Sequence, residues 1–318
     1  MSLLEPSEAY KPFLYPWAVE LAVTHEKSFW GEWEAKLQSD VDQWKTGVIN
    51  DNQKEHITQV LRLFTQSDVQ VGSNYLEFYL PKFQNNEIRA MLTSFAAREF
   101  THQRAYALLN DTLGLKESEY SAFREYKSMA DKIDWMKDVD VHSIAGTAKG
   151  IVRSVISEGI GLFSAFAMLL NYERHGLMKG MCEIVEWSVR DESMHCTGMT
   201  QLFREFCGEH PRIVNDEFKK EIYNMFREAV ALEDKVIDTT FGNYDIPGIT
   251  ADDVKKYIRY LADRRLIQIG LKGNWHVKRN PLPWLEWIIN GDSFKNFFEG
   301  VVTDYSAEGL TGDWGWDN

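Results

Sequence analysis

The sequence predicts an all-α protein, a bundle of long helices with additional helices around it and a short flexible C-terminal tail. Three observations carry that prediction. The eight prolines sit at Pro6, Pro12, Pro16, Pro81, Pro211, Pro247, Pro281 and Pro283, so 129 residues between Pro81 and Pro211 contain none that would break a helix. Apolar residues inside that stretch recur at helical spacing. Strand signals are weak, and the Asn290-Gly291 pair does not join two alternating runs.

Each long helix carries its own punctuation. Residues 86–113 place apolar side chains at Ile88, Met91, Leu92, Phe95, Ala96, Phe100, Tyr106 and Leu109, and Gly114 is the natural stop. Residues 147–172 form a second predicted helix, ending near His175-Gly176. A third covers 180–206 and stops before Gly208 and Pro211. Residues 51–70 and 216–239 read as two more. Thr250, with Asp253 three residues on, caps another that reaches about residue 269. Residues 1–303 are expected to form one helical domain. Beyond it, Gly309, Gly312 and Gly315 among acidic and aromatic residues mark residues 304–318 as a flexible tail.

Composition narrows the function classes. A hydrophobic fraction of 44% is ample for a sizeable core. The net charge of −13, with no basic block to offset it, argues against nucleic-acid binding. Cys182, Cys196 and Cys207 are too few and too unpatterned for a disulfide framework or a zinc cluster. No signal-peptide pattern opens the chain. The most apolar stretch, residues 159–170, is too short to span a bilayer and is interrupted by Ser164. No membrane association is expected, and the cytoplasm is the expected location.

The chemistry lies in two Glu-x-x-His pairs, Glu99/His102 and Glu192/His195, the only histidines of eight with a glutamate three residues before them. Three-residue spacing projects carboxylate and imidazole from one helical face. Helix bundles build dinuclear carboxylate sites this way, two helices giving Glu-x-x-His and two others a lone carboxylate each. Hard oxygen donors with one nitrogen per metal suit iron or manganese. Glu158, inside the apolar run 155–163, is costly to bury unless paired or metal-bound. Asp68 follows the apolar helix segment 60–64; on its own it would read as an exposed helix end.

Taken together, Asp68, Glu99-x-x-His102, Glu158 and Asp191-Glu192-x-x-His195 resemble the six-ligand set of the class I ribonucleotide reductase small subunit, a ferritin-like helical bundle. The order agrees, as do the gaps of 31 residues from Asp68 to Glu99 and 34 from Glu158 to Glu192. Surrounding words agree too: residues 190–196 (RDESMHC), 175–178 (HGLM) and 297–299 (FFE). The resemblance runs from about Trp30 to Tyr305. It implies a dinuclear metal centre (Fe/Fe, Mn/Mn or Mn/Fe) in which Glu99 and Glu192 bridge. Asp68 and His102 then complete one metal site, and Glu158 and His195 the other.

The resemblance also implies roles for residues around the cage. Tyr106, four residues after His102 on the same helical face, corresponds to the radical tyrosine. Trp30 corresponds to a tryptophan on the electron-transfer route, with Asp191 hydrogen-bonded to both His102 and Trp30. Tyr305 corresponds to the tail tyrosine that passes the oxidant across a subunit interface. The expected activity is that of the radical-generating subunit of a ribonucleoside-diphosphate reductase, supplying deoxyribonucleotide synthesis. Its expected partners are a large catalytic subunit, bound through the tail, and a second copy of this chain; its activator is oxygen or superoxide. Ser188, four residues before Glu192, departs from the isoleucine common there. A hydroxyl beside Tyr106 can hydrogen-bond the phenol, so both seats for the oxidant, Tyr106 and the metals, stay open. Two other readings keep the cage but change what it does, one being a ligand-binding dimetal oxidase or oxygenase and the other a ferritin-like metal store.

Overall fold

The computed structural model describes residues 2–289, and among them there is no strand. Ten principal helices carry the fold: α1 Pro16–Lys27, α2 Gln38–Thr46, α3 Asp51–Asn74, α4 Asn86–Leu113, α5 Lys127–Lys137, α6 Ile144–Ile156, α7 Phe163–Leu170, α8 Lys179–Glu209, α9 Asp216–Phe241 and α10 Ala251–Gln268. They belong to one compact unit, Met1–Pro281. A second unit, Leu282–Asn318, is described only over residues 282–289, which include the helix Pro283–Ile289. The tail expected at 304–318, the domain boundary at 303, the 297–299 motif and Tyr305 lie outside the described residues.

Local chemistry explains where the helices start. Asn50 caps α3 reciprocally: its side chain accepts from Gln53 N–H at 3.0 Å, and the Gln53 amide oxygen accepts from Asn50 N–H at 3.0 Å. Asn85 caps α4 by accepting from Glu87 and Ile88 N–H, and Gly114 closes it in the left-handed region at φ 75°. α4 thus has the predicted bounds. So does the Thr250 cap of α10, with Asp253 returning the bond.

Other ends differ from the sequence expectation. α3 continues past 70 to Asn74 and then into a π turn, Tyr75–Tyr79, because its apolar face continues through the buried Val71, Tyr75 and Tyr79. α8 passes through Gly208, since Phe206 and Cys207 still pack in the core, and ends ahead of Pro211. The helix expected over 147–172 starts at Ile144 under the Ser143 cap and is broken at Ser157–Gly161 by a second π segment. The smaller helices α1, α2 and α5 carry no strong sequence signal. The whole helical run Ile144–His175 is long and apolar enough to cross a membrane by composition, a longer run than 159–170. Yet 94% of its most apolar window is buried inside the protein, so it is core.

Four elements form the centre. α3 packs along α4, α6 packs along α8, and α4 meets α8, so the two pairs face one another. Each large apolar side chain buried between them contributes about 1.5–3 kcal/mol relative to exposure. Gly72 matters to the approach: a Cβ there would stand 3.2 Å from Glu99 Cβ, so glycine lets α3 close on α4 at that glutamate.

A π segment frees backbone carbonyls, and here two basic side chains from other helices cap them. Lys132 of α5 donates to the Gly161 carbonyl at 2.5 Å, and Arg265 of α10 donates to the Gly159 carbonyl at 3.2 Å. Lys132 is also ion-paired with Glu233 of α9 at 2.6 Å, both buried, and Ser164 Oγ donates to the other Glu233 oxygen at 2.7 Å. Glu158 rides on this clamped segment.

Glu186, half-buried on α8, is paired with another carboxyl, Glu173 of the turn Glu173–His175. Burial, then a hydrogen bond shared with Glu173, pushes Glu186 up to about 8 from 4.5. The folded protein therefore retains a proton that the unfolded chain has lost, and this pair's contribution falls away as pH rises from about 4.5 through about 8. Glu186→Gln is expected to melt like the wild type at pH 5 and above it at pH 8. Thermal unfolding across that range checks it; a constant difference at both ends contradicts the shared proton.

Candidate metal centre

The four central elements deliver all six predicted ligands to one place. Asp68 comes from α3, Glu99 and His102 from α4, Glu158 from the π segment after α6, and Glu192 and His195 from α8. None is more than 1% exposed. Asp68 is therefore not at an exposed helix end; the extension of α3 beyond 70 buries it.

Their donor atoms converge in two overlapping groups. Asp68, Glu99, His102 and Glu192 form one, and Glu99, Glu158, Glu192 and His195 the other, with the donor atoms of each group within 4.8 Å of one another. Glu99 and Glu192 belong to both, and the reason is visible atom by atom. Glu99 places Oε2 3.6 Å from His102 Nδ1 and Oε1 3.0 Å from His195 Nδ1. Glu192 places Oε1 3.2 Å from His102 Nδ1 and Oε2 3.5 Å from His195 Nδ1. Each carboxylate thus offers one oxygen to each half of the cage, the disposition a bridging ligand needs.

The donor set fits a pair of cations. Asp68 Oδ2, both oxygens of Glu99, both of Glu192, and Nδ1 of His102 and of His195 are buried with no hydrogen-bond partner. Uncompensated burial of so many charged or polar atoms costs several kcal/mol for each ion. Four carboxylates carry a formal charge of −4, which two divalent cations cancel. The crowding already shows in the acids' affinities for protons. Burial pushes Asp68 well above its ordinary range, with His102 opposing the shift and Glu99 and Glu192 adding to it. Burial raises Glu158 to about 7, against the pull of His195.

The surroundings hold these side chains in place. Tyr75 donates to Glu158 Oε2 at 2.7 Å, and Ser154 donates to Oε1. Asp191 Oδ2 receives Trp30 Nε1–H at 2.7 Å and Arg98 Nη1–H at 2.8 Å, and lies 3.2 Å from His102 Nε2. Burial alone would raise Asp191, but the hydrogen bond to His102 and the charges of His102, Arg98 and Arg190 hold it below the usual carboxylate range. With Nε2 turned to Asp191, His102 faces the cage with Nδ1. Trp30, only 2% exposed, lies over His102 with ring centres 5.9 Å apart and planes 24° apart, and leans on Trp187 at 4.9 Å.

Tyr106 is completely buried beside the cage. Its ring centre is 4.3 Å from that of Phe64, which packs edge-on against Phe166. Its hydroxyl donates to Ser188 Oγ at 2.8 Å, and Ser188 donates onward to the Ile184 carbonyl at 3.0 Å. Burial first, then the charge of Asp68, pushes the phenol well above its ordinary range, with the Ser188 bond opposing.

Sequence reasoning missed Tyr75, Ser154, Arg98 and His25. Weak signals existed: Tyr75 is seven residues after Asp68, and Ser154 four before Glu158, both spacings that return to one helical face. Arg98 is next to Glu99, and nothing in its spacing points at Asp191. His25 lacks the Glu-x-x-His context and reaches the cage only through folding.

Comparison with known proteins identifies the chain's relatives. The family model described as "Ribonucleotide reductase, small chain" matches residues 7–281. The probable ribonucleoside-diphosphate reductase small subunit 048L of Invertebrate iridescent virus 3 is 38% identical over 99% of this chain and 89% of its own length. The ribonucleoside-diphosphate reductase subunit beta of Chlamydia pneumoniae is 30% identical over 94% of this chain and 90% of its own. Among solved structures, the ribonucleotide reductase R2 subunit from Clostridium botulinum has a TM-score of 0.84 at 21% identity, covering 91% of this chain and 94% of that one. The Streptococcus sanguinis dimanganese(II)-NrdF has a TM-score of 0.77 at 19% identity, covering 90% and 99%. At those identities the structural likeness bears on the fold alone, which is ferritin-like and all-α.

Proposed function

Because this chain belongs to the ribonucleotide reductase small-chain family, and so is the small subunit of a ribonucleoside-diphosphate reductase, we propose that its six-residue cage holds two metal ions. The single observation that carries the reading is the pair of glutamates, Glu99 and Glu192, each turning one orphaned oxygen toward each histidine. Asp68 and His102 would complete one metal site, Glu158 and His195 the other. An oxygen-rich set with one imidazole per metal suits iron or manganese, as Fe/Fe, Mn/Mn or Mn/Fe. When bound and activated by oxygen or superoxide, the pair supplies a one-electron oxidant.

The protein's own residues then store and deliver that oxidant. Tyr106 is its seat: a phenol that gives up an electron and its proton in a buried, largely apolar pocket is protected from quenching by water. Ser188 Oγ accepts from the phenol and donates to the Ile184 carbonyl, so its hydroxyl would have to turn from that carbonyl to donate to the resulting phenoxyl oxygen. Trp30, Asp191 and His102 form a hydrogen-bonded line from the cage outward, while Arg98 holds Asp191 ionised and in register. Tyr305 and the 304–318 tail continue the route. The tail docks on the large catalytic subunit, where an aromatic-anchored segment folds into a groove. The catalytic subunit carries the nucleotide, and this chain works as a homodimer. The oxygenase and metal-store readings are not favoured, because the matches to reductase small subunits extend over nearly the whole chain.

Metal analysis of the purified protein is expected to return two ions per chain. Deleting residues 304–318 is expected to leave that content unchanged and to abolish deoxyribonucleotide formation with the large subunit. A truncated chain that retains turnover would sink the docking role, and a full chain without two bound metals would sink the cage.

A further inference from the structure

The two imidazoles of the cage are backed by different partners. His102 turns Nε2 to a carboxylate, Asp191, itself paired with Arg98 at 2.8 Å. His195 turns Nε2 to another imidazole: His25 Nε2 lies 3.1 Å away, with ring centres 5.0 Å apart. His25 is completely buried on α1, edge-on to Phe95 at 5.1 Å. Its Nδ1 is 2.7 Å from Ser94 Oγ of α4, and Ser94 Oγ is 2.9 Å from Glu26 Oε1. Glu26 is exposed.

Donor and acceptor chemistry gives this chain one direction. The Glu26 carboxylate only accepts, so the Ser94 hydroxyl proton points to it. Ser94 Oγ then accepts from His25 Nδ1–H. A buried imidazole with no anion in contact is neutral and has one N–H, so His25 Nε2 is a lone pair. His195 must therefore donate Nε2–H, so Nδ1 is the nitrogen left to the cage, where a cation displaces any proton it holds. That nitrogen faces Glu99 at 3.0 Å, Glu158 at 3.2 Å and Glu192 at 3.5 Å.

We propose that His25 is a positioning residue for the metal site built on His195: through Ser94 and Glu26 it selects the tautomer and ring orientation in which His195 Nδ1 is free to bind a cation. The inference rests on the two-metal reading of the cage. It makes the half-sites chemically unequal. His102 leans on an anion that raises its basicity, whereas His195 leans on a neutral ring and owes its orientation to two helices, α1 and α4.

The test is a titration of metal-free protein with Mn(II), free Mn(II) being read by its electron paramagnetic resonance signal. The wild type takes up two Mn(II) per chain. In His25→Leu one of the two equivalents weakens by about 10–100-fold, the usual effect of losing a partner behind a ligand, and the other is unchanged. His25→Gln, whose amide can accept from His195 and donate to Ser94, restores most of that affinity. Ser94→Ala, which breaks the chain without touching either ring, weakens the same equivalent, and it serves if His25→Leu does not fold. Wild-type affinity for both equivalents in His25→Leu and Ser94→Ala overturns the proposal. So does an equal loss at both equivalents, which marks general damage. Fewer than two Mn(II) per wild-type chain overturns the two-metal reading and the role of His25 with it.

Discussion

Tyr106→Phe is expected to fold and take up metal like the wild type, yet to show no tyrosyl signal in electron paramagnetic resonance and no deoxyribonucleotide formation above background. The substitution removes one oxygen and leaves the ring against Phe64. Ser188 keeps its own bond to the Ile184 carbonyl, so no buried donor is orphaned and the cost to stability is about 1 kcal/mol. Phenylalanine has no O–H to lose and no accessible one-electron oxidation, so the loss of function is complete where the loss of stability is small. That separation is the diagnostic. A manganese-type signal and turnover that both survive in Tyr106→Phe would put the oxidant on the metals and reject Tyr106 as its seat.

The largest stability effect is expected away from the cage, at Lys132. Lys132→Met leaves the Glu233 carboxylate buried without its cation and the Gly161 carbonyl without its cap. Breaking a buried pair from one side costs about 3–5 kcal/mol, because the remaining charge keeps its desolvation penalty and loses its compensation. Lys132→Met/Glu233→Met is expected to recover most of that loss, since replacing both partners with apolar groups is often close to neutral. Urea unfolding of the metal-free variants measures both. A single variant within about 1 kcal/mol of the wild type, the scale of an exposed pair, would show that water reaches this pair and that the clamp on the π segment is loose.

Much of this was legible in one dimension. Proline spacing and helical periodicity outlined α4 and α10 almost to the residue, because their caps, Asn85, Gly114 and Thr250, act within a few positions of the residues they cap. The two Glu-x-x-His pairs were legible for the same reason: a helix brings residues three apart onto one face whatever surrounds it. Asp68 and Glu158 were weaker, because a lone carboxylate has no local partner to mark it: the apolar run around Glu158 drew notice to that one, and only the resemblance to a known ligand set singled out Asp68. The π segments at Tyr75–Tyr79 and Ser157–Gly161 gave no sequence signal; in the second, freed carbonyls are satisfied from distant helices, by Lys132 and Arg265.

By itself, then, the sequence determined the helical class, the two ligand pairs and, through resemblance, the family; each rests on short-range spacing or residue order. Only the tertiary structure decided which oxygen of each glutamate meets which histidine. It also decided that Tyr75 and Ser154 grip Glu158, that Tyr106 bonds to Ser188, and that His25 stands behind His195. Those relations join residues 82 positions apart in one case and 170 in another. No local periodicity encodes them, because they exist only after burial of the apolar faces has brought the helices together.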